Sequence, residues 1–278
     1  MKKALKIFLI IFIIGVILGG IGIAIRGFKP FSISYTNGKL EVNDGQKAQL
    51  TLDKTEVDAF TNIDAHIAVG DVNIIPSDKY AIEYALDASK VTYEVKDGTL
   101  VVDTQEANKV TMDFSFSSKN YLNIYVPADS EFAKASIRGD VGEINIDSLT
   151  IDSLEIISNV GDVTLTKCTV NTSNIVVNTG DLKLTNCTLT SSDIESDTGD
   201  VTATNLSVNT KLKVDSSVGD VVIALKSDKY NLDLKTSVGD IKVNGKEMDD
   251  GVSQSYKEDN DGASIIISSD TGDIEVNY

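Results

Sequence analysis

The chain is 278 residues long and carries 25 lysines and arginines against 42 aspartates and glutamates, a formal charge of −17. So acidic a chain lacks the basic face that a phosphate backbone requires, which disfavours nucleic-acid binding. Its two cysteines exclude a disulfide scaffold, its one histidine excludes a histidine-rich metal site, and 41% hydrophobic residues argue for a folded chain.

The charge is divided at about residue 30. Residues 1–30 hold five basic residues (Lys2, Lys3, Lys6, Arg26 and Lys29) and no acid, which leaves residues 31–278 at −22. Residues 1–6 read as a basic cytoplasmic tail. Residues 7–25, IFLIIFIIGVILGGIGIAI, are uncharged, and a helix of that length spans the roughly 30 Å hydrocarbon core of a bilayer. A secretory signal has a shorter apolar stretch and a small-x-small cleavage site. Gly22-Ile23-Ala24 is a poor match to such a site. An uncleaved single-pass anchor is therefore expected, with cleavage left open and the lipid bilayer as its partner. The excess of lysines before it places the N-terminus inside and the remainder outside the cytoplasm. Gly15 and Gly19 have the spacing of a helix-dimer motif, but glycine is common in membrane helices and the plain reading is preferred. Residues 26–58 are expected to be a stalk.

Residues 59–135 read as irregular strands and hairpins, YAIEYAL (80–86), VTYEV (91–95), TLVVD (99–103) and YLNIYV (121–126), with a turn signal at Lys96-Asp97-Gly98. They would continue or cap the sheet that follows.

From residue 136 the sequence repeats. SNVGDVTL (158–165), VNTGDLKL (177–184), SDTGDVTA (196–203), SSVGDVVI (216–223), TSVGDIKV (236–243), SDTGDIEV (269–276) and the earlier IAVGDVNI (67–74) share one pattern. A disguised copy is found by aligning Ile137 with Ile156, which makes Gly142-Glu143 the repeat turn in place of the neighbouring Gly139-Asp140. The turn residues are thus Gly70-Asp71, Gly142-Glu143, Gly161-Asp162, Gly180-Asp181, Gly199-Asp200, Gly219-Asp220, Gly239-Asp240 and Gly272-Asp273. From Gly142 the intervals are 19, 19, 19, 20, 20 and then 33, the last lengthened by the polar loop 245–262.

Two and four residues after each glycine the side chains are aliphatic, as in Val163/Leu165 and Val221/Ile223; five before it stand Ile137, Ile156, Ile175, Ile194, Val214, Leu234 and Ile267. Period two in β-branched runs means strands with one buried face. A third aliphatic pair falls seven and nine after the glycine: Leu149, Cys168, Cys187, Leu206, and Ile151, Val170, Leu189, Val208. Three inward pieces per 19–20 residues predict an all-β, single-stranded β-solenoid, parallel β-helix-like, following an N-terminal transmembrane helix. The glycine would take a positive φ, and the acid after it would bond local backbone amides.

Each motif has a plain reading beside its functional one. Arg138-Gly139-Asp140 is the integrin-recognition tripeptide, yet Asp140 sits in the repeat's polar-ladder column and structure explains it. The aspartate column could bridge divalent cations, but the chain lacks the glycine doublet of calcium-binding solenoids and turn capping is preferred. Glu258-Asp259-Asn260-Asp261-Gly262 fails the EF-hand pattern, because Lys257 occupies the first ligand position. Cys168 and Cys187 share the Leu149/Leu206 column, where buried thiols are preferred to a disulfide. His66 is read as an exposed imidazole. No catalytic, cofactor or metal residue emerges, and a small-molecule substrate is disfavoured.

VGDVNIIPSD (69–78), KDGTLVV (96–102), LNIYVP (122–127), the tandem VGDV/TGDL copies and SIIISSDTGDIEV (264–276) together resemble a family of bacterial envelope proteins of unknown function, grouped as adhesins with β-strand repeats. The resemblance covers about 60–278, and the N-terminal anchor is similar to that of members from low-GC Gram-positive bacteria. It implies a surface-exposed β-solenoid and transfers no catalytic residue. The expected function is a non-enzymatic, membrane-anchored envelope or surface interaction protein with a protein or peptide partner. The alternative is a sensory or regulatory ectodomain of an envelope-stress response, whose acidity would attract cationic peptides. A carbohydrate-active enzyme is third, since residues 142–244 leave few loop residues to build a groove.

Overall fold

The computed structural model describes residues 31–36, 39–44, 49–105, 110–113, 119–128, 130–248 and 253–278. The uncharged stretch 7–25 lies outside these. Among the described residues no helix is long and apolar enough to cross a membrane. Two compact units are present. In the smaller, strand Phe31–Thr36 pairs antiparallel with both Lys39–Asp44 and Val110–Asp113. Part of the segment expected to be a stalk therefore has strand structure.

The larger unit, residues 49–107 and 119–278, is a stack of two-strand coils. One side carries long strands (Glu131–Val141, Thr150–Val160, Thr169–Thr179, Thr188–Thr198), paired parallel and in register. The other carries four-residue strands (Ile144–Asp147, Val163–Thr166, Leu182–Thr185), also parallel. Like positions meet like: Ile137, Ile156, Ile175 and Ile194 form one buried row, and Ile144, Val163, Leu182 and Val201 another.

The three strand pieces expected per coil are two. Cys168 and Val170 are buried as expected, but Val170 belongs to the long strand. Asn171 and Thr172 both face outward before Ser173 turns in. This pair of successive outward residues bends the long strand, so the third aliphatic pair is turned inward by a bend and not by a separate strand. Inside that bend, among aliphatic neighbours, the Ser173 hydroxyl donates to Ser192 Oγ at 2.7 Å, so the buried hydroxyls satisfy each other.

A second corner joins each short strand to the next long one. Its residues, Ser148, Lys167, Asn186 and Asn205, all have φ of 54–57°. Asparagine tolerates this left-handed conformation better than other non-glycine residues, and Asn205 donates its amide to Asn186 Oδ1 at 2.6 Å. Lysine has no such compensation. Lys167→Asn is therefore expected to stabilise the protein by about 0.5–1 kcal/mol, read as a higher urea midpoint with an unchanged denaturant slope.

At the N-terminal end, Asn62–Val69 pairs parallel with Glu131–Val141 on one side and Thr99–Gln105 on the other. Beyond lies Lys90–Lys96, joined to Thr99–Gln105 by the two-residue turn Asp97-Gly98, both at positive φ. On the opposite side Asp71–Ser77, Tyr121–Pro127, Ala81–Leu86 and Leu50–Glu56 follow in that order, the last two pairings antiparallel. Leu50–Glu56 thus belongs to the solenoid. Both outer edges are guarded against further pairing, one by Lys90 and Lys96 and the other by a register break between Leu52 and Thr55.

The C-terminal end departs from chain order. Ala263–Thr271 pairs parallel with both Lys211–Val218 and Tyr230–Val238. Ile274–Asn277 lies likewise between Val221–Leu225 and Ile241–Val243. The last strand pair of the sequence is therefore the penultimate coil of the stack. Gln254–Glu258, from the polar loop, pairs antiparallel with the far side of Tyr230–Val238 and caps it.

Candidate interaction surface

The repeat turns form one edge of the solenoid. In stacking order the glycines run Gly70, Gly142, Gly161, Gly180, Gly199, Gly219, Gly272, Gly239, and each from Gly142 onward is packed against the carbonyl of its neighbour. All have φ between 135° and 148°. The amide of each turn glycine donates to the residue before the next one, as in Gly161 N–H to Thr179 O at 2.8 Å.

The acids after the glycines hold these turns together. Asp181 N–H donates to Asp162 Oδ1, Asp200 N–H to Asp181 Oδ1 and Asp220 N–H to Asp200 Oδ1, each at 2.9 Å. The ladder continues through Asp273 to Asp220 and Asp240 to Asp273, and at its other end Glu143 N–H donates to Asp71 Oδ1 at 3.0 Å. One oxygen of each accepting carboxylate is thus committed to the backbone. Three residues before the glycine, the buried Ser158, Ser196 and Ser216 hydroxyls donate to the carbonyl of their own turn glycine.

Immediately before the glycines a row of β-branched residues faces solvent: Val69, Val141, Val160, Thr179, Thr198, Val218, Thr271 and Val238. The five valines are 41–53% exposed. An unbroken exposed ridge, running beside the acidic row, is the feature of this edge that local folding does not require; polar β-branched residues serve at Thr179, Thr198 and Thr271. Val or Thr stands before every repeat glycine, but in sequence the glycines and acids are conspicuous and this row is not.

Asp140 of the Arg-Gly-Asp tripeptide is engaged within the fold. Its carboxylate accepts from Asn159 Nδ2 at 2.8 Å, in a ladder continued by Asn178 Nδ2 to Asn159 Oδ1, and lies 3.5 Å from His66 Nε2. His66 is half-exposed and its other ring nitrogen is 3.3 Å from Asp103. Cys168 and Cys187 are buried free thiols whose sulfurs contact backbone carbonyls, Cys168 with Thr166 O at 3.4 Å and Cys187 with Leu165 O at 3.4 Å. The adjacent Cys187 sulfur, and then burial, push the Cys168 thiol above the ordinary range, and both sulfurs are shut away from solvent. Among the described residues no group of three histidine, cysteine or acidic side chains is placed to hold a metal ion.

A polar network on the short-strand side was not legible in the sequence, because its members come from four strands. Asn145 donates to Asn73, Asn73 to Asn123, and Asn123 to Glu83, at 3.0–3.2 Å. Glu83 also accepts from Tyr125 at 2.6 Å and Tyr121 at 3.3 Å, while Lys54 Nζ lies 3.7 Å from the centre of the Tyr125 ring. The Tyr125 and then Asn123 hydrogen bonds lower the Glu83 pKa below its usual 4.5. A depressed carboxylate contributes stability that is complete above its unfolded value and is lost as pH falls through the folded one. Glu83→Gln is accordingly expected to lower the melting temperature at pH 6 and to narrow its gap to the parent as pH drops below about 4, in melts followed by circular dichroism.

The Toastrack DUF4097 family model matches residues 60–277. No curated protein matches the chain. Among solved structures, a candidate adhesin from Bacteroides fragilis is 18% identical, with 84% of this chain and 98% of that chain covered and a TM-score of 0.47. A candidate cell adhesion protein from Clostridium sporogenes is 16% identical over 82% and 99% of the two chains, with a TM-score of 0.38. A candidate adhesin from Parabacteroides distasonis is 13% identical over 82% and 96%, with a TM-score of 0.37.

Proposed function

Since the chain belongs to the Toastrack DUF4097 family, we propose that it is a non-enzymatic interaction protein of the cell envelope, held in the membrane by residues 7–25 with its N-terminus inside and its solenoid outside. The observation that carries this reading is the ridge of half-exposed valines beside the acidic row. Val69, Val141 and Val160 are successive in the stack, and exposed apolar side chains grouped in this way, rather than scattered singly, mark a contact surface. The turn carboxylates and the tripeptide Asp140 act structurally, so they supply order to this surface rather than chemistry. The partner that fits is a protein or peptide with an apolar stripe flanked by basic residues, because like charge along the acidic row repels an acidic one.

The test is performed on intact cells that make the full-length chain. External protease should cleave the solenoid, and surface crosslinking should join it to a partner. That product should be lost in the triple variant Val141→Ser, Val160→Ser, Val218→Ser, whose exposed substitutions change stability little. A solenoid shielded from external protease, or a crosslinked product indifferent to the triple substitution, overturns the reading. The charge of −22 over residues 31–278 supports a second reading, a regulatory ectodomain responding to cationic peptides. An unchanged response to cationic antimicrobials after gene deletion would dismiss it.

A further inference from the structure

The penultimate coil of the stack is made by the last residues of the chain. Ala263–Thr271 and Ile274–Asn277 fill a slot one strand wide that passes through both sheets, between the coil formed by residues 211–225 and that formed by 230–243. The common repeat supplies the turn contacts that hold the segment there, Gly272 against Gly219, Gly239 against Gly272 and the Asp220–Asp273–Asp240 ladder, and Tyr278 adds hydrogen bonds to Asn244 and Glu258. The slot holds a Gly-Asp strand pair, and every copy of the chain carries one.

The connection into the slot is short and constrained. Gln254–Glu258 and Ala263–Thr271 lie on opposite flanks of Tyr230–Val238, so residues 259–262 must cross the start of that strand. At the crossing Asn231 Oδ1 accepts from Asn260 N–H at 2.8 Å and Asn231 Nδ2 donates to Gly262 O at 2.9 Å. Asp261 has φ of 53°, and a Cβ on Gly262 would stand 1.8 Å from Lys229 O. Straightening this crossing would release the left-handed turn and send the terminal strand pair away from its own body. Short strained hinges beside an exchangeable terminal element are the recipe for strand swapping.

We propose that the chain forms a domain-swapped dimer in which residues 263–278 of each copy fill the slot of the other, with residues 259–262 as the hinge. Gln254–Glu258 stays on its own Tyr230–Val238. The acidic surfaces gain no contact in this exchange. The contacts that join the copies are the ones that already hold the monomer together, so exchange is set by the hinge and by concentration.

Lys211 and Ser264 are paired in register across one wall of the slot. Full-length chains bearing Lys211→Cys with one affinity tag are mixed with chains bearing Ser264→Cys with another, unfolded and refolded together in detergent at high concentration, and treated with a short bismaleimide. The native cysteines are buried and should not compete. The expected result is a crosslinked product carrying both tags in the dimer fraction, while a chain bearing both substitutions crosslinks internally in the monomer fraction. Asp261→Gly, which removes the hinge strain, should lower the dimer-to-monomer ratio by about threefold or more. Internal crosslinking of the double variant without any two-tag product overturns the proposal, as does a double variant that never crosslinks, or a dimer fraction indifferent to Asp261→Gly.

Discussion

Gly180→Ala is expected to lower the stability of the solenoid by about 3 kcal/mol or more, seen as a large drop in the urea midpoint and as loss of amide protection in the flanking coils. Two costs combine. At φ 141° the residue lies where side chains are rarely found, and a Cβ would stand 2.3 Å from the Gly161 carbonyl oxygen. That oxygen is backbone held in the stack and cannot step aside as a side-chain tip could. Moving it disturbs the turn beneath, including the Asp181 N–H bond to Asp162. Gly245→Ala provides the control. Its φ of 71° imposes strain, but nothing lies within 4 Å of the added methyl. It should cost only about 1 kcal/mol. Equal effects at the two positions would show that conformational preference, and not coil packing, requires glycine in the repeat.

Deleting residues 263–278 should have the largest effect. Ile265, Ile267, Ile274 and Val276 are fully buried. At about 1.5–3 kcal/mol for each large apolar side chain, their loss removes roughly 6–12 kcal/mol, as much as the whole stability of many domains. Were the terminal strand pair the outermost coil, its removal would merely shorten the stack. Between two coils, its removal leaves Leu212 and Val214 facing Leu232 and Leu234 across an empty slot. The truncated chain is expected to lose ordered structure from residue 211 onward by hydrogen exchange and to aggregate through the opened edges. Retention of native protection at Leu232 and Leu234 would contradict this placement.

Much of the fold is written in one spacing. Because a coil's buried positions recur every 19 or 20 residues, aligning Ile137 with Ile156 was enough to place Gly142 in the turn line and to move Asp140 out of it. The same regularity concealed what differs between coils. Gly272 and Gly239 sit in closely similar turns, SDTGDIEV and TSVGDIKV, and little in them states which stacks on Gly219; the order goes with the crossing at Asn231, a contact between residues about 30 apart. The bend in the long strands looks like a break in the sequence, because two outward residues in succession, such as Asn171 and Thr172, interrupt the period in the way a turn does. The left-handed corner at Lys167 gave no signal, since lysine is not a residue that marks one. On the candidate surface, the turn acids were legible through their repetition. The row of valine and threonine before the glycines is equally regular, but these residues carry no chemical signature, and the Glu83 network is scattered over residues 73–145.

The displaced terminal coil also bears on how the chain is made. A ribosome releases residues 136–225 in the order in which their coils stack, so each can settle as it emerges. The next coil then appears, with Val238-Gly239-Asp240 matching the turn that belongs beside Val218-Gly219-Asp220, while its proper neighbour is still unsynthesised. Docking there would be nearly native and would have to be undone when Ile265 and Ile267 arrive. Refolding of the full chain should therefore show a slow minor phase that reflects this mis-stacked intermediate. The coil of residues 230–243 therefore reaches its final neighbours only after residues 263–278 have followed it, so the order in which coils are made and the order in which they stack differ at this one place.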